Sequence, residues 1–223
     1  MNGEYPKILY RIAAPSESDR IREALLSFYY PEELLSRSYA GEQQIAGAGP
    51  PEEQLQHALS FAQQGMAALA IEEDHGRIIG VAIARCVKPT TAGDLLTAVP
   101  QTGSHQWAET LRLFAHLEHT GDVCGRFRSR RAYHVFVLAV EPHFRRRAIG
   151  QKLMEFQLAR GKSLRFRVVS ADFTCKEAAR IGERVDMRCV SVLSLNQYRN
   201  PVGERSFAAP EVDPVVSTYA RYV

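Results

Sequence analysis

The chain has 223 residues, of which 45% are hydrophobic and 24% charged, and it carries a formal net charge of +3. This composition is typical of a globular domain with a sizeable apolar core, and a balance of 28 basic to 25 acidic residues argues against a nucleic-acid-binding surface. Residues 1–12 lack the apolar segment of a signal peptide, and no stretch reaches the roughly 18 apolar residues of a membrane span. We therefore expect a single domain, residues 1–223, that is cytoplasmic and monomeric, without membrane or nucleic-acid partners.

Apolar residues at helical spacing predict helices along the whole chain. The first is expected from about residue 17 to 29, where Ile21, Leu25 and Phe28 share one face, and Pro31 interrupts it. Residues 40–51, rich in Gly, Ala and Pro, are predicted to be a mobile loop, and residues 89–104 a second irregular stretch. Further helices are expected from Pro51 to Gly65, through Trp107, Leu111 and Phe114, from Ile149 onward, and over 178–182, where Gly182 is interpreted as a cap.

Short apolar runs predict about seven strands. A turn at residues 74–76 joins two of them into an antiparallel hairpin, and Val135–Val140 is the unbroken apolar run of a strand that is covered on both faces. The order of elements, an antiparallel meander followed by a strand–helix–strand unit, predicts an α/β (α+β) fold. The predicted strands cover residues 8–12, 66–72, 77–85, 135–140, 164–170, 187–195 and 215–222.

Three consecutive arginines, Arg145–Arg147, stand where the apolar strand hands over to the next helix, and the small residues Ala148 and Gly150 follow them. Small residues let backbone N–H groups approach phosphate oxygens, and a helix N-terminus adds about half a positive charge. The guanidinium groups add charge-assisted hydrogen bonds. The pattern therefore indicates a pyrophosphate site, although a solvated basic turn that opens a helix is the plain alternative.

This stretch resembles motif A of the GNAT acetyltransferases. The resemblance implies a GNAT fold, a central mixed twisted sheet of about seven strands flanked by helices, with acetyl-CoA as co-substrate and no metal. It implies that the strand binds the pantetheine arm through its backbone and that the following loop cradles the CoA pyrophosphate. Ala148 stands where these enzymes usually have their first glycine. The implied acetyl-CoA-binding residues are Leu138, Ala139, Val140, Arg145, Arg146, Arg147, Ala148, Ile149 and Gly150.

Over nearly its full length the chain resembles the insect arylalkylamine N-acetyltransferases. In those enzymes aromatic residues at the end of the first helix precede a D-E-P-L-N segment whose glutamate is the general base. Phe28, Tyr29 and Tyr30 stand before Pro31 here, and the match assigns the base to Glu32, with Glu33 as the alternative. A base is needed because an alkylamine with a pKa near 10.4 is only about 0.1% neutral at physiological pH.

The same resemblance singles out Ser170 and Thr174, which keep the four-residue spacing of two serines in the insect enzymes. It implies that the two hydroxyls hold a proton network and help to protonate the departing CoA thiolate. A backbone N–H near a bulge in the strand before the arginines would stabilise the oxyanion, and residues 138–140 match that segment. The alternative for Ser170 and Thr174 is that one of them simply caps the following helix.

The resemblance implies transfer of acetyl from acetyl-CoA to the primary amine of a small arylalkylamine, such as dopamine, tyramine or serotonin, by direct attack in a ternary complex. Polyamines, protein N-termini and longer acyl-CoA substrates remain alternatives, and a non-enzymatic nucleic-acid binder is a more distant one. His116 and His119 could share a helix face as metal ligands, but no nearby Cys or carboxylate completes a set. The residues expected to bind the acceptor are Phe28, Tyr29, Tyr30, Glu33 and Tyr39.

Overall fold

Seven strands form one mixed sheet in the computed structural model, which describes residues 6–40, 49–208 and 214–223. The strand order is β1-β2-β3-β4-β5-β7-β6, and every neighbouring pair is antiparallel except β4 with β5, which is parallel. The predicted antiparallel meander and strand–helix–strand unit are confirmed. The strands are β1 (Ile8–Ile12), β2 (Ala67–Glu72), β3 (Arg77–Val87), β4 (Ala132–Val140), β5 (Val168–Phe173), β6 (Arg188–Ser194) and β7 (Val215–Tyr222).

Helices cover both faces of the sheet. On one face, Ile21 of α1, Leu25 of the turn that follows it and Leu59 of α3 are buried against β2, β3 and β4. On the other face, α7 buries Leu153 and Met154. The first helix continues past Ala24 as a π-helical turn, Leu25–Tyr29. The helices are α1 (Ser18–Ala24), α2 (Leu34–Ser38), α3 (Glu52–Phe61), α4 (Thr91–Ala98), α5 (His105–Gly121), α6 (Val123–Arg126), α7 (Ile149–Ser163) and α8 (Lys176–Arg184).

The parallel strands β4 and β5 stay together over only a short distance. Their register runs from Tyr133 opposite Val169 to Val135 opposite Ala171, and among the described residues no later pair continues it. Just beyond that point β4 carries a bulge, because Ile83 pairs with Val137 and Ala84 with Val135, which leaves Phe136 without a partner on β3. A bulge adds twist to its strand, so β4 leaves β5 and opens a cleft at the carboxyl ends of the two strands.

The prediction that residues 89–104 are irregular is wrong. Helix α4 occupies residues 91–98 of this stretch, and a 3₁₀ turn, Val99–Gln101, follows it. Leu95 and Val99 are buried against Trp107 and Leu111 of α5. A helix of eight residues depends on such packing for its stability, so its own sequence gives a weak signal.

The prediction of a strand over residues 164–170 starts and ends too early. Helix α7 ends in a turn in which Arg165 has a left-handed φ of 59° and the Phe166 N–H donates to the Gly161 carbonyl at 3.0 Å. Strand β5 can begin only after this turn, at Val168. Ser170 therefore lies in the middle of the strand, and Thr174 lies just after its end.

The prediction that Gly182 caps its helix is wrong, because α8 continues to Arg184. A Cβ atom on Gly182 would lie 2.6 Å from Cε2 of Phe173, so the glycine allows α8 to pack closely on β5. Most of the predicted loop at 40–51 lies outside the described residues. No described helix has the length and apolar character needed to cross a membrane, and the described residues contain no group of three or more His, Cys, Asp or Glu suited to a metal ion.

Candidate active site

The arginine loop lies at the open end of the cleft, between β4 and α7. Arg145, Arg146, Arg147 and Ala148 are exposed, and α7 begins directly after them. The first hydrogen bond of α7 runs from the Lys152 N–H to the Ala148 carbonyl at 2.9 Å, so the preceding N–H groups have no partner within the helix. An exposed helix N-terminus beside three guanidinium groups fits a pyrophosphate.

The loop reaches this position through left-handed backbone. Arg146 has a φ of 63° and Ala148 a φ of 58°. Ala148 therefore adopts the left-handed conformation in which glycine is usually found. Gly150 has a different reason for being small, because a Cβ atom there would lie 2.9 Å from Cδ1 of Ile181 on α8. Ala148 therefore shapes the backbone of the loop, whereas Gly150 allows α7 to pack closely on α8.

Arg145 connects the loop to the segment after the first helix. Its Nε donates to the Val140 carbonyl at 2.9 Å, and its Nη1 lies 2.6 Å from Oε2 of Glu32. Both side chains are a little over two-fifths exposed, so water reaches this ion pair. The structure therefore brings the first arginine of the motif together with the glutamate that the sequence assigns as the base.

Residues 138–140 line the cleft at the end of β4. On one side they pair with β3, from Ala82 opposite Leu138 to Gly80 opposite Val140, and on the side of β5 no described strand pairs with them. Apart from the Val140 carbonyl, which accepts from Arg145, their outward backbone groups are thus available to the amides of an extended ligand. The bulge itself lies at Phe136, two residues before the segment predicted to carry it.

Glu33 has a different environment from its neighbour Glu32. Only 7% of Glu33 is exposed, and its carboxylate caps α2 by accepting from the N–H groups of Leu35 and Ser36 at 2.9 and 2.7 Å and from the Ser36 hydroxyl at 2.9 Å. Burial raises the pKa of Glu33, and these three hydrogen bonds act against the rise. Glu33 is therefore both a helix cap and a buried carboxyl group with altered acidity.

The aromatic residues at the end of the first helix pack around Glu33. Burial, followed by the nearby charge of Glu33, raises the pKa of Tyr29 and Tyr30, and the two rings meet edge to face with centroids 4.9 Å apart. Phe28 is buried in the same cluster. Tyr39 belongs to another cluster, where it packs against Phe207 and its hydroxyl lies 2.5 Å from Nδ1 of His105.

Ser170 lies within β5, and Thr174 lies just beyond the end of that strand. Ser170 is 1% exposed and is one residue short of the last pair between β5 and β4, whereas Thr174 is half-buried between β5 and α8. Neither residue caps α8, because its N-cap is Cys175, so that alternative is wrong. Among the described residues, no hydrogen bond joins Glu32 to Ser170 or Thr174.

Sequence reasoning missed the partners of Ser170. Its Oγ lies 2.9 Å from Nδ1 of His134, whose Nε2 lies 3.3 Å from Oδ2 of Asp172. Two signals were present in the sequence. His134 is a polar residue directly before an apolar run, and Ser170, Asp172 and Thr174 alternate along one face.

A separate cavity of about 470 Å³ lies between α3, β3, α4 and α5. Its walls include Phe61 and Trp107, and acidic Glu53 and Asp94 lie among its lining residues. Phe61 also contacts Phe136 at the bulge, with ring centroids 5.6 Å apart. The cavity thus adjoins the bulge of β4.

A mixed seven-stranded sheet whose parallel strands part beside an arginine-rich helix N-terminus is the architecture of the GNAT acetyltransferases. No protein-family model matches the sequence, and no curated protein matches it. Among solved structures the chain is similar to a mosquito arylalkylamine N-acetyltransferase-like 5b protein, with 34% identity, 97% of this chain and 100% of that chain covered, and a TM-score of 0.92. It is also similar to a Drosophila melanogaster polyamine N-acetyltransferase that catalyses the formation of N-acetylagmatine, with 26% identity, 97% and 100% coverage and a TM-score of 0.88. A mutant agmatine N-acetyltransferase in its apo form has 26% identity, 97% and 99% coverage and a TM-score of 0.87.

The chain therefore belongs to the insect arylalkylamine N-acetyltransferase-like proteins of the GNAT superfamily, a class of acetyl-CoA-dependent N-acetyltransferases.

Proposed function

We propose that this protein transfers acetyl from acetyl-CoA to the primary amine of a small arylalkylamine such as dopamine, tyramine or serotonin. The observation that carries the proposal is the point where β4 and β5 stop pairing, with Ser170 one residue before the last pair, together with the ion pair that joins Glu32 to Arg145 of the arginine loop. The 34% identity to a mosquito arylalkylamine N-acetyltransferase-like protein supports an arylalkylamine acceptor.

Acetyl-CoA would enter with its pyrophosphate on the arginine loop and on the N–H groups of Ile149 and Gly150. The outward backbone of residues 138–140 would then bond the pantetheine amides in the manner of an added strand. The thioester would reach the bulge at Phe136, where backbone N–H groups that do not bond β3 could stabilise the oxyanion.

The acceptor arrives as an ammonium ion, and making it neutral at physiological pH costs roughly 4 kcal/mol. Glu32 is proposed to take this proton, because it lies at the cleft beside Arg145 and its carboxylate is not tied to a helix end. Glu33 is the alternative, since burial raises its pKa and Tyr29 and Tyr30 adjoin it. Its disadvantage is that both of its oxygens already hold the N-terminus of α2.

The neutral amine attacks the thioester carbonyl directly in a ternary complex, so no acyl-enzyme forms. The tetrahedral intermediate collapses with loss of the CoA thiolate, and Ser170 and Thr174 are proposed to assist protonation of that thiolate. Phe28, Tyr29 and Tyr30 would provide aromatic contact to the acceptor, and the cavity beside Phe61 gives room for its ring.

The test is CoA-thiol release from acetyl-CoA with dopamine, tyramine, serotonin, tryptamine and spermidine as acceptors. Wild type is expected to prefer the ring-bearing amines, and Glu32→Gln is expected to lower kcat by about 10²- to 10⁴-fold. Equal activity of wild type and Glu32→Gln, with a large loss confined to Glu33→Gln, would move the base to Glu33. Absence of acetylation with every amine would refute the proposed function.

A polyamine or guanidinoalkylamine acceptor is the second candidate. It is favoured by the 26% identity to a Drosophila polyamine N-acetyltransferase and to an agmatine N-acetyltransferase, and by the acidic groups of Glu53 and Asp94 in the cavity. The Glu53 carboxylate, however, already accepts from the N–H groups of Gly103 and Ser104. A higher kcat/KM for spermidine or agmatine than for tyramine would select this candidate.

A further inference from the structure

A row of buried polar side chains crosses the sheet beneath α5. Arg85 on β3 is the register partner of His134 on β4, and His134 is the register partner of Ser170 on β5. His134 is 2% exposed and Ser170 1% exposed. Burying polar side chains costs free energy unless they form hydrogen bonds or ion pairs. Packing of the sheet alone would be served as well by apolar residues, so these side chains point to a further role.

Asp172 adds a carboxylate beside His134 in this row. Burial acts to raise the pKa of Asp172, but the adjacent His134, the hydrogen bond from Thr218 and the charge of Arg85 outweigh it, so the net effect lowers the pKa. The Thr218 hydroxyl donates to Oδ1 at 2.7 Å. Asp172 is therefore ionised and keeps a negative charge near Nε2 of His134.

Arg85, the register partner of His134 on β3, forms an ion pair with Glu118. Arg85 on β3 donates to Glu118 of α5 at 2.8 Å, and its guanidinium also lies over the rings of Phe114 and Phe136. Asp172 is the carboxylate next to the imidazole, with its Oδ2 atom 3.3 Å from Nε2. A carboxylate 3.3 Å from Nε2 favours hydrogen on that nitrogen.

With hydrogen on Nε2, the protonation of Nδ1 decides which way the Ser170 hydroxyl points. A neutral imidazole accepts from Ser170 at Nδ1, and the hydroxyl proton is then held inside the row. An imidazolium donates from Nδ1 to the Ser170 oxygen, and the hydroxyl proton is then free to point elsewhere. Ser170 lies one residue before the last pair between β4 and β5, and in the proposed function the freed hydroxyl proton would point toward the departing sulfur.

We propose that His134, held by Asp172, is a positioning residue that directs the Ser170 hydroxyl toward the departing sulfur and restores its proton. This inference rests on the proposed function, in which Ser170 protonates the CoA thiolate. The proton would pass through Ser170 from a histidine that the sequence motif does not include.

The step balances in atoms and charge. As the C–S bond breaks, its electron pair stays on sulfur, and the thiolate takes the Ser170 hydroxyl proton. The Ser170 oxygen takes the Nδ1 proton from the imidazolium, so thiolate and imidazolium become thiol and neutral imidazole while Asp172 stays ionised. Acetylation of an ammonium ion yields two protons, one of which ends on the thiol and the other in solution, from which His134 is recharged.

The experiment compares wild type with His134→Asn, Ser170→Ala and the double variant. Asparagine keeps a donor near the position of Nδ1 but does not titrate. Because general acid catalysis contributes about 10²- to 10⁴-fold, we expect His134→Asn to lower kcat by about 10- to 100-fold. We expect the double variant to lose no more than Ser170→Ala alone, because both changes act through one hydroxyl. Multiplying losses would overturn the proposal.

The pH profile separates positioning from a purely structural role. The pH profile of kcat is expected to differ between wild type and His134→Asn, because asparagine cannot carry the proton that His134 is proposed to pass on. Tyr133→Phe is the matched control, since the Tyr133 hydroxyl is buried on the opposite face of the same strand, where it bonds Gln157 at 2.7 Å. If Tyr133→Phe changes the profile in the same way, the effect is structural and the proposal is wrong.

A readout without an acceptor keeps the two proposals distinct. Among the imidazole ¹⁵N signals of His134, identified by their loss in His134→Asn, the Nδ1 signal should move in Ser170→Ala, because the Ser170 Oγ lies 2.9 Å from Nδ1. If amines are acetylated but these signals do not respond, the inference about His134 is wrong and the proposed function stands. If the signals respond but no amine is acetylated, the proposed function is wrong while the His134–Ser170 pairing holds.

Discussion

The Arg145 guanidinium lies 2.6 Å from the Glu32 carboxylate, so a residue proposed to bind the pyrophosphate is paired with the residue proposed to take the acceptor's proton. An ion pair between such exposed groups contributes about 0–1 kcal/mol. A doubly charged pyrophosphate can therefore displace the carboxylate at little cost. Binding of acetyl-CoA would release Glu32 in the cleft before the amine arrives.

Arg145→Gln is accordingly expected to weaken acetyl-CoA binding. A hydrogen bond to a charged group contributes about 1.5–3 kcal/mol, which corresponds to roughly a 10- to 150-fold rise in Kd. Calorimetric titration with CoA measures this change in Kd. Arg188→Gln, which removes one exposed arginine from β6, is the matched control. Equal weakening in both variants would show that overall charge, rather than the loop, governs binding.

Ala148→Gly is expected to leave the protein as stable as wild type or up to about 1 kcal/mol more stable. Ala148 has a φ of 58°, which costs an L-residue roughly 1–2 kcal/mol, whereas the added freedom of glycine in the unfolded chain offsets part of that gain. Ala148→Val should be less stable than wild type, because a β-branched residue tolerates this backbone least. Urea denaturation measures the free energy of unfolding of the three proteins. A Val variant more stable than wild type would contradict the left-handed conformation of residue 148.

His57 makes stability depend on pH. Burial, and secondarily the charge of Arg85, lowers the pKa of His57 to about 4, and its ring packs against Phe61 and Trp107. Because the folded pKa lies below the unfolded value near 6.5, this contribution is complete above pH 6.5 and is lost as the pH falls toward 4. The loss is about 1.4 kcal/mol per pH unit.

Comparison with His57→Phe isolates the effect. The unfolding free energy of wild type minus that of the variant should decrease as the pH falls from 6.5 to 4, and it should stay constant above pH 7. Chemical denaturation at several pH values measures this difference. A constant difference over the whole range would mean that His57 is protonated as readily in the folded protein as in the unfolded chain.

Two helical glycines should respond to alanine in opposite ways. A Cβ atom on Gly182 would lie 2.6 Å from the Phe173 ring, so Gly182→Ala is expected to destabilise the protein by about 1–3 kcal/mol. Gly93 in α4 has open space around such a Cβ atom, so Gly93→Ala should stabilise by about 0.5–1 kcal/mol. Thermal unfolding measures both, and a neutral Gly182→Ala would show that α8 does not pack closely on β5.

Local pattern determined much of the fold. Six apolar residues at Val135–Val140 are typical of a covered strand, and three arginines directly before a helix indicate an anion site from their order alone. The seven strands follow from the same short-range periodicity. The predictions failed where packing between separate elements decides, as in α4, where Leu95 needs Trp107 and Leu111 of α5 to be buried.

The sequence by itself determined that a basic loop, a pair of glutamates and two hydroxyl residues are present, but not what surrounds them. Glu32 and Glu33 are neighbouring residues of the same type, so the sequence does not distinguish them. In the tertiary structure Glu32 is an exposed partner of Arg145, and Glu33 is the buried cap of α2. His134 and Ser170 are 36 positions apart and meet only because β4 and β5 are parallel in this register. Acidity and proton transfer depend on burial and on neighbours across strands, and these are properties of the folded chain.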